Sequence, residues 1–117
     1  MDVTGSDQAD VLQALADESV REVLARLDET PRSAKDLADT MDLSLPTVYR
    51  RLDTLEELDL VVSRTEPASD GNHYKVYECN FDSTVIKLAD GAFEVDVYRR
   101  ESAAERFAGL WRELSDR

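Results

Sequence analysis

Two amphipathic segments separated by only three residues constrain the fold of this 117-residue chain more than any other feature. The first opens at Ser33, a capping residue, and places Ala34, Leu37, Ala38 and Met41 on one face. The second opens at Ser44 and repeats Val48, Leu52, Leu55 and Leu58. Both carry the 3.6-residue period, so both are predicted helices. Asp36 lies three residues after Ser33 as a variant capping box. Pro46 falls in the first turn of the second helix, where a missing N–H does no harm. Asp42-Leu43-Ser44 is left as a very short turn, and Asp59 is expected to end the second helix.

Upstream, residues 1–7 show no periodicity and are expected to fray. Val11, Leu12 and Leu15 give Asp10–Leu15 helical spacing, and Asp17 caps a further helix that repeats Val20, Val23, Leu24 and Leu27. Thr30-Pro31 breaks it. Downstream the period changes to two. Leu60–Arg64 and His73–Phe81 read as strands around a loop, Thr65–Asn72, that holds Pro67, Asp70-Gly71 and Asn72. Thr84–Leu88 and Phe93–Val97 form a second predicted hairpin, turned by Asp90-Gly91. Phe93, Val95 and Val97 alternate with Glu94 and Asp96, so one face is expected buried and the other wet. A last helix spans Arg100 to Leu114, with Ala103, Phe107, Leu110, Trp111 and Leu114 along one side. The expected class is α+β, mainly helical, and the length suits one domain, 1–117.

Two helices around a three-residue turn, followed by a strand hairpin, form the winged helix-turn-helix pattern. If Val48, Leu52 and Leu55 face inward, Leu45, Pro46, Thr47, Tyr49, Arg50 and Arg51 are left on the free side, with Ser44 at the cap. Small side chains at the helix start permit entry into a major groove about 12 Å wide. Thr47 and Tyr49 can bond phosphate or base edges. Arg50 suits a guanine and Arg51 a phosphate. Backbone N–H groups at the helix start add phosphate donors. Arg64, His73 and Lys75 flank the wing tip, and Asn72 and Ser69 can bond phosphate there. Glu66 and Asp70 on the same tip weaken its attraction for DNA. A purely structural use of Arg50 and Arg51, paired with Asp53 or Glu56, is the competing reading.

Charge speaks against nucleic acid at first. The chain carries 14 basic and 26 acidic residues, a net −12. The acid is scattered rather than gathered in a tail, and Arg outnumbers Lys by 11 to 3. That composition resembles cytoplasmic proteins of salt-accumulating organisms. Between Arg32 and Arg51, however, Arg32, Lys35, Arg50 and Arg51 outweigh Asp36, Asp39 and Asp42, giving +1 against −13 elsewhere. The one segment that is not acidic is the one expected to meet double-stranded DNA. Salt cations are expected to fill the rest of such an interface.

The runs VLQALADESVREVLARL, SAKDLADTMDLSLPTVYRRLDTLEELDLV and HYKVYECNF resemble winged helix-turn-helix regulators of the ArsR/MarR/PadR-like archaeal type. STVIKLADGAFEVDV and the helix ending GLWREL are similar to the C-terminal part of small haloarchaeal members. The resemblance implies a winged helix-turn-helix over 8–81, a β-hairpin over 82–98 and a dimerisation helix over 99–117. It implies a homodimer paired through the terminal helices, and it leaves a stress-responsive role open.

Other classes fit less well. The longest aliphatic run is Leu60-Val61-Val62, too short to span a membrane. The acidic N-terminus is not a secretory signal. There is no Gly-rich phosphate loop and no HExxH, and the single His cannot furnish several catalytic roles. No enzyme, no cofactor and no metal are expected. Metal-sensing members of the resembled family use Cys pairs or His/Asp/Glu sets, and none is present. Cys79 reads as a buried thiol, and Tyr74, Tyr77 and Trp111 as core or interface. Two competing functions remain: an acidic winged-helix module that binds the transcription machinery or mimics DNA, and a small-molecule sensor.

Overall fold

The computed structural model describes residues 5–100, with side-chain surroundings from Gln8 onward. The predicted terminal helix, and with it Ala103, Phe107, Leu110, Trp111 and Leu114, lies beyond the described residues.

Helices α1 (Gly5–Ala16), α2 (Glu18–Glu29), α3 (Ala34–Met41) and α4 (Leu45–Glu57) come first, then strands β1 (Val61–Pro67), β2 (His73–Cys79), β3 (Phe81–Ala89) and β4 (Ala92–Arg99). α1 starts five residues ahead of the expected Asp10. Once a helix is nucleated, each added residue gains a backbone hydrogen bond whatever its side chain. The apolar period therefore marks only the buried part of a helix. The other helices start where the caps place them. Asp17 accepts from the Ser19 N–H at 2.8 Å, Ser33 from the Asp36 N–H at 3.1 Å, and Ser44 from the Thr47 N–H at 3.3 Å. The Ser33 box is not reciprocal, because the Asp36 carboxylate accepts from Arg32 instead.

Two aspartates end α3 and α4. Asp42 and Asp59 adopt left-handed backbone, at φ 56° and 58°. After Asp59, the Leu60 N–H reaches the Leu55 carbonyl at 2.9 Å, while the Asp59 N–H reaches Glu56 at 3.0 Å. These are the two bonds of a Schellman ending. α4 therefore stops at Glu57, and Asp59 is the residue that turns the chain.

A single core joins Val11, Val20, Val23, Leu24, Leu27, Leu37, Val48, Leu52, Leu55, Leu60, Val61 and Tyr77, with Cys79 at its edge. Every α2 and α4 position expected inside is inside. Tyr74 is not: it stands 47% exposed on the wing. Its register partner, Glu66, places it on the face opposite Tyr77.

β1 and β2 pair antiparallel from Val61↔Cys79 to Pro67↔His73. The wing ladder thus runs three residues past the expected Arg64, and the tip shrinks to 68–72. Turn-forming composition located the tip, but cross-strand bonds continue as long as both partners stay extended. Gly71, at φ 89°, closes the turn, where a side chain would be strained. Arg32 adds a third, one-residue edge: its N–H and carbonyl both bond Tyr77.

β3 and β4 form a separate antiparallel ribbon with Ala89↔Ala92 across a two-residue turn. Asp90 and Gly91, at φ 53° and 79°, have the positive φ pair of a type I′ turn. The ribbon base is stitched to the helical body. Arg99 donates twice to the Leu58 carbonyl, at 2.7 and 3.2 Å. Asn80 donates its side-chain amide to the Asp59 carbonyl, and its own carbonyl accepts from the Arg100 N–H. The expected burial of one ribbon face holds only at the base. Val97 and Phe81 pack on the core and Val95 is buried, but Phe93 is 74% exposed. Alternation identifies a shared face; it does not supply a neighbour to cover it.

Candidate nucleic-acid interface

α4 presents two faces. Val48, Leu52 and Leu55 are fully buried, while Leu45, Pro46, Tyr49 and Arg50 are exposed. Ser44 donates its hydroxyl to Thr47 at 2.8 Å, and Arg50 donates to the same Thr47 oxygen at 3.3 Å. These three polar residues form one exposed chain over the first turn and a half. The first turn carries no acidic residue. Its N–H groups and dipole favour an anion with no carboxylate in competition. Arg50 makes no ion pair among the described residues, so its guanidinium fork is available for a bidentate contact.

The other predicted cations divide sharply. Arg51 turns away from this face: its Nε donates to the Ser19 hydroxyl at 2.9 Å, and its Nη2 lies 3.8 Å from Asp17. It braces α4 against the start of α2. The Ser19 hydrogen bonds, foremost, and the Arg51 charge hold the Asp17 carboxyl below its usual range. Arg32 pairs with Glu29 and Asp36 and donates to the Arg26 carbonyl. Arg64 pairs with Glu66 at 2.7 Å and lies 3.8 Å from Glu78, and the Glu66 bond raises its pKa. Lys35 on α3, and His73 and Lys75 on β2, are exposed and make no ion pair among the described residues.

At the wing tip, Asn72 donates both its backbone N–H and its side-chain amide to Asp70. Those bonds hold the Asp70 carboxyl below its usual range. Asn72 therefore shapes the turn and has less to offer a phosphate than its sequence position suggests. Ser69 is exposed there.

Two features were invisible in sequence. The Arg32–Tyr77 bridge ties the wing to the start of α3. The Arg99–Leu58 bonds tie the ribbon to the end of α4. Neither partner is near the other along the chain, and no local pattern marks them. Beneath α4, burial pushes the Tyr77 hydroxyl up to about 12, with Glu56 and Asp53 adding negative charge nearby. A cleft of about 260 Å³ where α1, α2 and α4 meet is lined by Asp10, Asp17, Glu57 and the engaged Arg51. Cys79 is buried, its thiol 3.6 Å from the Phe81 carbonyl. Among the described residues, no group of three His, Cys, Asp or Glu is placed to hold a metal, and no helix is long and apolar enough to cross a membrane.

Comparison with known proteins agrees with this architecture. Residues 15–64 match a family described as a helix-turn-helix domain. No curated protein sequence matches the chain. An ArsR-like transcriptional regulator from Rhodococcus sp. RHA1 superposes with a TM-score of 0.54 at 27% sequence identity. The match covers 63% of this chain and 65% of that one, just under two thirds of the regulator's length. The fold is a winged helix-turn-helix, a scaffold that many DNA-binding proteins share.

Proposed function

We propose that this chain is a sequence-specific transcription regulator that binds double-stranded DNA as a homodimer in the cytoplasm of a salt-accumulating, haloarchaeal-type cell. The observation that carries this reading is the outer face of α4, where Leu45, Pro46, Tyr49 and Arg50 stand exposed over an acid-free first turn. In the proposed complex that face enters a major groove. Arg50 reads a guanine edge, Thr47 and Tyr49 read neighbouring edges or phosphate, and Ser44 and the N-terminal N–H groups hold phosphate. Lys35, His73 and Lys75 take flanking phosphates. Arg51, Arg32 and Arg64 support the elements that carry those contacts.

Two copies related by a two-fold axis would set their α4 helices about 34–36 Å apart on a pseudo-palindromic site. Ala103, Phe107, Leu110, Trp111 and Leu114 supply the apolar stripe for pairing. Asp39 on α3, Asp42 in the turn, Asp53 on α4 and Asp70 on the wing tip are exposed. They would meet polyanionic DNA, so cations are taken up between them and the phosphates. The haloarchaeal resemblance adds a stress-responsive role to this reading.

Genome-wide mapping of bound sites in the source organism tests it. Discrete sites sharing two half-sites about 10 base pairs apart are expected. Occupancy that merely follows RNA polymerase, with no shared motif, would instead indicate an acidic module that binds the transcription machinery.

A further inference from the structure

Among the described residues, only two large apolar side chains stand exposed on a helix, Leu45 at 40% and Tyr49 at 44%. The remaining exposed ones lie on the strands of the wing and the ribbon. Four residues apart, Leu45 and Tyr49 are neighbours on one flank of α4. Leu45 stands two turns ahead of Leu52 on nearly the same side, yet Leu52 is fully buried, so the core ends between them. The other flank is polar. There Ser44 and Arg50 both donate to the Thr47 hydroxyl, at 2.8 and 3.3 Å.

We propose that Leu45 and the ring of Tyr49 read thymine methyl groups, so that each half-site holds thymine beside the guanine met by Arg50. The inference rests on the DNA-binding reading above and adds to it the apolar part of the recognised sequence. The polar flank identifies what the whole face meets. An acid-free first turn, with its N–H groups and the guanidinium fork of Arg50, suits a polyanion. In the major groove of B-DNA, the apolar group at a base edge is the C5-methyl of thymine. Leucine carries no donor and no acceptor. Against any other edge it would desolvate polar atoms and return no hydrogen bond. The ring of Tyr49 adds apolar area, and its hydroxyl stays available for the edge or phosphate contact proposed above.

Spacing agrees. Leu45 and Tyr49 are about 6 Å apart along the helix axis. Base pairs follow one another every 3.4 Å or about that, so the two side chains suit methyl groups one or two base pairs apart. Arg50 follows Tyr49 in sequence and shares its turn of α4, which sets the guanine next to those thymines.

Fluorescence anisotropy with the full-length chain and one mapped site tests this. Each thymine of a half-site is replaced in turn by deoxyuridine, which removes the methyl group and keeps the base pair. At one or two positions beside the guanine, wild type should bind about fourfold more weakly per methyl lost. Leu45→Ala, with folding checked by circular dichroism, should bind the natural site more weakly and lose the discrimination at one of those positions. Leu45→Met should keep it. Equal affinity for every deoxyuridine site, or half-sites with no thymine beside the guanine, would overturn the methyl reading while leaving DNA binding in place. Discrimination that survives in full in both Leu45→Ala and Tyr49→Ala would overturn the assignment to these residues. No binding to any mapped site would remove the DNA-binding reading, and this inference with it.

Discussion

Arg50 and Arg51 are neighbours in sequence with opposite fates, and truncating each separates the two roles. Arg51→Ala removes a hydrogen bond of 2.9 Å to Ser19 and a longer contact with Asp17. An intramolecular hydrogen bond contributes about 0.5–1.5 kcal/mol net. The side chain is about one-third exposed, so solvent screening keeps this charged donor near the middle of that range, and the 3.8 Å ion pair adds little. Ser19 keeps its bond to Asp17 at 2.8 Å, so no polar group is orphaned. The expected loss is about 1 kcal/mol, which lowers Tm by about 4 °C in a domain of this size. Arg50→Ala removes one exposed, long bond to Thr47 and should stay within about 0.5 kcal/mol of wild type. Thermal melts followed at 222 nm measure both. Ser19→Ala in the Arg51→Ala background should cost less than the two single changes summed, since both remove the same bond. An Arg51→Ala variant that melts with wild type but loses DNA binding would refute the bracing role and return Arg51 to the groove face.

Tyr77→Phe tests the wing root. A phenol held at about 12 in the fold against 10.0 when free contributes stability that is full below pH 10 and lost as pH rises toward 12. The loss is at most about 3 kcal/mol, and the Phe variant should lack this alkaline component in pH-dependent denaturant titrations. Asp59→Gly should stabilise by about 0.5–1 kcal/mol, because φ at Asp59 is 58° and glycine adopts that region without strain; a lower midpoint in urea would contradict it. Operator affinity should fall little, or rise, from low to molar KCl, because cation uptake opposes the counterion release that weakens most DNA complexes. A steep loss with log salt would show that the acidic surface takes up no ions.

The helical half was legible because its signals are local. Asp17, Ser33 and Ser44 cap the helices they precede, and Pro31 and Asp59 punctuate them. The buried stripes of α2 and α4 follow directly from the 3.6 period. The site was half legible. Elimination of the buried positions placed Arg50 and Arg51 together on one face, yet a helix turns 100° per residue, and Ser19, 32 positions away, captures Arg51. Arg32 carried positive charge into the count and Arg64 flanked the wing tip, but Arg32 pairs with Glu29 and Asp36 and Arg64 with Glu66, near neighbours whose pairing a charge count ignores. Phe93 shows the same limit from the apolar side. Its alternation with Glu94 is real, and its exposure follows from where the ribbon ends relative to the core.

Binding by wild type and Arg50→Ala to one mapped site, measured by fluorescence anisotropy at the salt of the source cytoplasm, tests most directly whether α4 reads DNA. A bidentate guanine contact is worth about 1–3 kcal/mol, so the variant should bind about 5- to 150-fold more weakly, with relaxed preference at one base pair per half-site. Equal affinity and equal preference for the two proteins would place the DNA contact elsewhere, or remove it altogether.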